Sequence, residues 1–275
     1  MTGYVAMPGS MGPWSGGHFA GASCVLAGNP GPMTLDGTNT WIVDADEESV
    51  VLVDPGPDDP EHLAAVRQEL GDRWVRHIVL THGHADHSAG AALFAADLSA
   101  PVLAVDPRHR LGDEGLPVGS VLECGEVEIH VVGTPGHSSD SVSLFLPMSA
   151  AVLTGDTILG RGTTVVAYPD GRLADYLQSL QRLADLVAEH GATQVWPGHG
   201  PVLDDAAAVL DAYLGHRRER LDEVRRAVAD LDPQTPVEDV APVVVETVYA
   251  DVPRAVWPAA ELSVRAQLDY LREHG

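Results

Sequence analysis

An α/β body followed by a small all-helical domain is the fold class the sequence predicts, on three observations. Short β-branched segments separated by Gly, Pro and Asp turns recur up to about residue 203. Two of them lead into segments with apolar residues at helical spacing, which makes strand–helix repeats. From about Asp204 onward the periodicity is helical only.

The elements follow in chain order. Residues 1–18, rich in Gly and Pro, form a flexible lead-in. "SCVLA" (23–27), "NTWIVD" (39–44) and "SVVLVD" (49–54) are strands, and "PEHLAAVRQEL" (60–70), with Pro60 at its start, is a helix. "WVRHIVLT" (74–81) is a buried strand and "HSAGAALFAAD" (87–97) the helix after it. Further strands are expected at 101–105, 127–134, 141–147 and 150–156. The helix at 172–190 is clearly amphipathic and precedes a short strand at 193–198. Helices at 204–230, 236–250 and 258–275 complete the chain, with Pro242 kinking or ending part of the second. The division is therefore 1–18, 19–203 and 204–275.

Composition excludes several classes. No apolar run approaches the roughly 20 residues of a membrane-spanning helix, and the N-terminus has no basic and apolar succession of a secretory signal. A cytoplasmic location is expected, with Cys24 and Cys124 as buried, reduced thiols. Acidic residues number 40 against 16 basic ones, for a formal charge of -24, and every basic residue is Arg. Such a chain repels polyanions at long range, so a nucleic-acid substrate requires a local basic patch. Double-stranded DNA is disfavoured as a partner, and oligomeric state is not legible.

The chemistry concentrates in "VLTHGHADHSAG" (79–90). An extended chain after the strand points His82 and His84 the same way, since they are two residues apart. Asp86 and His87 open the next helix and face a neighbouring position. A catalytic zinc takes three protein ligands and keeps one position open, so two ions would need ligands from other strand ends. His137 in "GTPGHSS", Asp156 in "LTGDT" and His199 in "WPGHG" stand on loops after apolar strands. Each alone reads as a hydrogen-bonded surface histidine or a plain turn. The HxHxDH cluster does not, because packing four such groups together without a cation costs desolvation and leaves poor partners. Asp54, ending an apolar strand, either accepts from a ligand imidazole or makes a simple turn with Pro55 and Gly56. The other histidines (His18, His62, His77, His109, His130, His190, His216 and His274) show no comparable grouping.

HxHxDH (82–87), TPGH (134–137), GD (155–156) and PGH (197–199), in this order, resemble the metallo-β-lactamase-fold hydrolase superfamily over roughly residues 20–203. The resemblance implies a four-layer αββα sandwich with metals at one edge. It implies His82, His84 and His137 on one ion, Asp86, His87 and His199 on the other, and Asp156 bridging. "NPGPMTLDGTNTWIV" (29–43), the segment 160–183 and the helical tail are similar to the lactamase-like endoribonuclease subgroup. Animal members of that subgroup cut single-stranded RNA, and its tail resembles a winged helix. Here the chain stops at "YLREHG", so the wing is expected to be short or missing. Fungal polyketide thioesterases share the same opening. In the main class of metal-dependent β-lactamases, which are secreted, a Cys stands where this chain has Asp156.

The expected activity is that of a metal-dependent hydrolase using a hydroxide between two divalent ions about 3.5–4 Å apart. Zinc is the expected metal, with iron or manganese compatible with the same donors. Asp86 is both ligand and candidate proton acceptor. By resemblance Asn39, Thr40, Thr163 and Thr164 line the substrate pocket; read alone they are polar groups flanking strands or in a Gly-rich loop. Tyr168 stacks on a base or, preferably, packs on the helix at 172. The first substrate expectation is single-stranded RNA, and the alternative is a small acyl substrate such as a thioester. A metal-stabilised binding or regulatory module ranks third, because structural zinc sites are normally closed by four ligands. For RNA, Arg217, Arg218, Arg220, Arg225 and Arg226 on one helix are the candidate basic patch. The competing reading pairs them with Glu219, Asp222 and Glu223 along a solvated face.

Overall fold

The computed structural model describes residues 12–274. The strands are β1 (Gly17–Phe19), β2 (Ala22–Leu26), β3 (Asn39–Asp44), β4 (Ser49–Val53), β5 (Trp74–Val79), β6 (Val102–Leu103), β7 (Val121–Cys124), β8 (Val127–Gly133), β9 (Val142–Leu146), β10 (Ala151–Gly155) and β11 (Gln194–Pro197). The helices are α1 (Pro60–Leu70), α2 (Ala85–Ser88), α3 (Ala91–Leu98), α4 (Leu173–His190), α5 (Ala206–Ala229), α6 (Val237–Val248) and α7 (Trp257–His274).

Both faces of the central strands are apolar, which forces two sheets to be covered on both sides. Along β3 and β4 the residues alternate between two cores. Trp41, Val43, Val51 and Val53 face inward, where they meet Ile129, Val131, Leu144, Leu153 and Trp196 of the other sheet. Ile42, Val50 and Leu52 face outward onto Leu63, Val66 and Leu70 of α1 and Phe94 of α3. The first sheet runs β1-β2-β3-β4-β5-β6 and the second β11-β10-β9-β8-β7. Tyr176, Leu180 and Leu183 of α4, with Val209, Leu210 and Tyr213 of α5, cover the second sheet. The result is the αββα sandwich. A separate small core, Val224, Ala241, Val244, Val245, Ala260 and Val264, joins α5, α6 and α7.

Two expectations need correction, and one edge strand is new. The lead-in is not loose throughout. Residues 1–11 lie outside the described residues, but Gly17 and His18 belong to β1, and Trp14 packs with Phe19 against Trp41 and Trp196. A run of Gly hid an aromatic anchor. The helix at 87–97 is two pieces, because Gly90 N turns aside to donate to Gly56 O at 2.9 Å. A Cβ there would lie 2.6 Å from Pro57 O. The edge strand β7 has no clear sequence signal, since "VLEC" is only four residues long, includes Glu123 and is half exposed. Pro242 sits inside α6 without ending it. Cys24 and Cys124 are free and buried, and burial pushes both thiols up. No helix among the described residues is long and apolar enough to cross a membrane.

One buried histidine gives the fold a pH limit. Thr40 Oγ1 donates to Asp54 O at 2.7 Å, so it accepts from His62 Nε2, also at 2.7 Å. His62 Nδ1 is left buried with no partner. Burial pushes His62 down to about 4, against the opposing pull of Asp59. A depressed folded pKa means stability present above the unfolded value of about 6.5 and lost as pH falls towards 4. Between pH 7.5 and pH 5.0 the unfolding free energy should therefore fall by roughly 2 kcal/mol less in His62→Gln than in wild type. Urea titrations at the two pH values measure this, and equal losses would contradict it.

Candidate metal centre

The site is built where strands of both sheets end. β4 delivers Asp54, β5 delivers Thr81 and then His82, β10 delivers Asp156, β11 delivers His199, and the loop after β8 delivers His137. The ends are locked together by backbone hydrogen bonds: Asp54 N to Val79 O, Val142 N to Thr81 O and Gly198 N to Gly155 O, each at 2.9 Å. Two glycines permit the approach. Gly155 sits at φ +48, and a Cβ there would lie 2.5 Å from Thr81 Oγ1; a Cβ on Gly198 would lie 2.7 Å from both Asp156 Oδ1 and His87 Cε1.

All seven residues singled out by their motifs come together. His82, His84 and His137 form one group whose donor atoms lie within 4.8 Å of one another; Asp86, His87 and His199 form a second, and His82, His87 and Asp156 overlap both. His84 Nδ1 lies 3.1 Å from His82 Nε2 and 2.9 Å from His137 Nε2, and His87 Nε2 lies 3.2 Å from His199 Nε2. These are nitrogen–nitrogen approaches, and the partners of the opposite ring atoms decide what they mean.

Each of four rings has its Nδ1 occupied. His137 Nδ1 faces Val165 O at 2.7 Å, His199 Nδ1 faces Gly37 O at 3.1 Å, and His87 Nδ1 faces Asp54 Oδ2 at 2.8 Å. A carbonyl or carboxylate only accepts, so the proton sits on Nδ1. His82 Nδ1 faces Thr81 Oγ1 at 3.1 Å, whose own hydrogen goes to Asp54 Oδ2 at 2.7 Å, so this ring also donates from Nδ1. In the neutral rings, four Nε2 lone pairs converge, as cation ligation requires.

Asp156 lies between the two groups. Its Oδ1 is 3.3 Å from His87 Nε2 and 3.5 Å from His199 Nε2, while Oδ2 is 3.7 Å from His137 Nε2. Oδ1 is buried with no hydrogen-bond partner. Asp86 Oδ2 lies 3.2 Å from His199 Nε2, and with a side chain 29% exposed it is far more open than Asp156 at 10%. These donors fit divalent cations.

Electrostatics draws positive charge to this place. Burial opposes ionisation of Asp156, but His199 and His87 outweigh it and hold the carboxyl well below its usual range. Burial likewise lowers His87, yet Asp156 and Asp54 lift it well above 6.5, and Asp156 and Asp86 lift His199 to about 9. Burial drives His82 and His137 down, aided by neighbouring histidines. Protons and cations therefore compete for the His87–His199 side.

Asp54 is the orienting carboxylate. Besides His87 and the Thr81 hydroxyl it accepts from Thr81 N at 2.8 Å, and it is buried at φ +54, a strained backbone for a non-glycine residue. Asn39 and Thr40 are corrected from pocket residues to internal ones. Both side chains have no exposure. Asn39 Nδ2 donates to Pro197 O and Gly200 O, each at 2.9 Å, which brackets His199, and Thr40 holds Asp54 O. Thr164 is also buried, with Oγ1 3.2 Å from His137 Nδ1; Thr163 is only half-buried. Tyr168 packs against the core around α4. Sequence reasoning missed Thr81, whose place directly before the motif was the available signal. It also missed the carbonyls of Gly37 and Val165, which no sequence marks.

Among the α5 arginines Arg217 departs from both expectations, and Arg220 and Arg225 follow the paired one. Arg217 is buried, not a surface cation: it donates to Thr164 O at 2.6 Å and lies over the Tyr176 ring at 4.7 Å. Arg220 pairs with Glu223 and with Val248 O, both at 2.8 Å, and Arg225 pairs with Asp222.

A two-sheet sandwich with histidines and carboxylates converging at its strand ends defines a class of metal-binding hydrolase fold. Comparison with known proteins narrows it: a model of the metallo-β-lactamase superfamily matches residues 33–199, and a β-lactamase-associated winged helix domain matches 241–275. The chain belongs to the metallo-β-lactamase superfamily. A Caenorhabditis elegans relative, "Beta-lactamase-like protein 2 homolog", is 35% identical over 261 residues, covering 91% of this chain and 84% of that protein. A metallo-β-lactamase family protein of Thermus thermophilus has the same fold at TM-score 0.75 and 24% identity, covering 93% of this chain and 94% of its own. A further structure, TTHA1623 in a di-iron-bound form, is 31% identical at TM-score 0.55 and covers 69% of this chain and 96% of its own.

Loading with metal should expel protons. At neutral pH the raised His87 and His199 give up at least one proton between them, so calorimetric titration in buffers of different ionisation enthalpy should show net proton release. Apparent affinity should rise with pH up to about 9 and fall below it. Proton-neutral loading at pH 7 would contradict the assignment.

Proposed function

We propose that this protein is a di-metal hydrolase of acyl substrates, a thioester or related ester. One ion would be held by His82, His84 and His137 and the other by Asp86, His87 and His199, with Asp156 between the two groups. The observation that carries this reading is the convergence of imidazole nitrogens around a carboxylate whose two oxygens face opposite groups. Divalent ions bound there lower the pKa of a nearby water towards neutrality and polarise the oxygen of the scissile group. Imidazole-rich donors with carboxylates favour zinc, and iron suits the same set.

The chain's own residues do the rest. Asp156 sets the separation between the two groups. Asp54 holds the proton of His87 on Nδ1 and so keeps Nε2 aimed inward. Gly37 O and Val165 O do the same for His199 and His137. Asp86, the most open carboxylate of the cluster, is placed to accept a proton on an oxygen as water attacks. Fixing these groups beforehand removes reorganisation from the reaction step.

The acyl reading rests on where the cations are. Of the five α5 arginines that would grip a polyanion, Arg217 is buried and Arg220 and Arg225 are paired with acids, which leaves only Arg218 and Arg226 exposed without such a pair. The loop carrying His137 goes on to Asp140, and Ser139 bonds to Asp170; with Asp106 these carboxylates outnumber Arg108 on this rim. With a formal charge of -24, such a rim repels phosphodiesters and tolerates a carbonyl. RNA cleavage is the second reading, favoured by the winged-helix match at 241–275.

Zinc-loaded protein should release free thiol from an acyl thioester, and His84→Ala should lose at least a hundredfold of that rate. Labelled single-stranded RNA should stay intact in parallel. RNA cut by wild type but not by His84→Ala, with a rate falling steeply in added salt, would overturn the acyl reading.

A further inference from the structure

The segment 163–167 has no helix or strand of its own, yet it holds His137 from two sides. Val165 O takes the His137 Nδ1 proton at 2.7 Å, and Ala167 N donates to His137 O at 3.1 Å. Irregular backbone keeps such precision only when something else fixes it. Two side chains fix it here, and both come from the C-terminal helices. Arg217 of α5 donates from its guanidinium to Thr164 O at 2.6 Å. Ser263 of α7 accepts from Val166 N at 3.2 Å. Both side chains are buried, at 3% and 6% exposure. The anchored carbonyl and amide directly flank the residue whose carbonyl holds His137.

Arg217 also lies over the ring of Tyr176, and Tyr176 packs against the chain neighbours of two candidate ligands. Its hydroxyl donates to Thr157 O at 2.7 Å, next to Asp156, and a Cβ on Gly136 would lie 2.3 Å from its Cα, next to His137. A buried guanidinium is costly unless its hydrogen bonds are made, and Arg217 Nε has no partner. Its hydrogen bond to Thr164 O and its place over the Tyr176 ring offset that cost.

We propose that Arg217, with Ser263, is a positioning residue: the C-terminal helices act on the metal centre by fixing the 164–166 backbone that orients His137. The inference rests on the metal reading above. It assigns the helical domain a role in holding one ion, the one at His82, His84 and His137. The other group draws its orientation from Asp54 and Gly37, which Arg217 does not touch.

The test is competition for zinc between the full-length protein and a chromophoric chelator, with urea midpoints measured in parallel. Wild type should hold two ions. Arg217→Met should weaken one by about tenfold, in the range seen when partners of metal ligands are removed, and leave the other unchanged. Ser263→Ala, a smaller change in a helix, should shift the same ion in the same direction, and Arg217→Lys should restore part of the loss. In a His199→Ala background, where only the first group is complete, the Arg217→Met shift should persist. Two ions held as in wild type by both folded variants would overturn the proposal, as would equal weakening of both ions. If Arg217→Met does not fold, Ser263→Ala decides by the same criterion. Wild type that binds no ion sinks the metal reading itself, a result distinct from a variant that binds like wild type.

Discussion

Lone pairs of four imidazoles aimed at a common space repel one another, and the surrounding structure is arranged to hold them there. The repulsion is overcome by hydrogen bonds on the opposite side of each ring: carbonyls at Gly37 and Val165, the Thr81 hydroxyl and the Asp54 carboxylate. Asp54 carries the largest share. It ties β4 to Thr81 after β5, and it turns both His87 directly and His82 through the threonine hydroxyl. Its left-handed backbone is the local strain this position stores, held in place by burial on every side.

The sandwich supplies the rigidity. Because both faces of each central strand are buried, the strand ends cannot slide without exposing core residues on one side or the other. Trp41 and Trp196 stack across the two sheets at 4.9 Å, and the Trp41 indole donates to Pro197 O, two residues before His199. Packing in the middle of the molecule and ligand geometry at its edge are thus one system. The C-terminal helices extend that system by covering α4 and reaching the loop behind His137.

Much of this was legible in the sequence, and the reason is physical. HxHxDH is local, and a cluster of four titratable groups has few uses apart from a cation. His137, Asp156 and His199 each follow an apolar strand on a Gly-containing loop, a weak signal alone, and the order of the motifs HxHxDH, TPGH, GD and PGH is what marks them. Asp54, which the sequence leaves between an orienting and a turn role, takes the orienting one through His87 and Thr81. The misses have a common cause. Carbonyl partners carry no residue label, and Arg217 sits in "GHRRERLDEVRR", where composition reads as a solvated face. Whether an arginine points outward or inward depends on packing against α4, which no local pattern encodes. Asn39 and Thr40 were placed in a pocket by resemblance, although their hydrogen bonds are made inside the protein, to the His199 loop and to Asp54.

The proposed centre holds two cations, one on either side of Asp156. Anomalous scattering from crystals of the zinc-loaded protein tests it directly. Two peaks are expected, one among His82, His84 and His137 and the other among Asp86, His87 and His199, with a carboxylate oxygen of Asp156 towards each. A single peak, or peaks away from these residues, would contradict it.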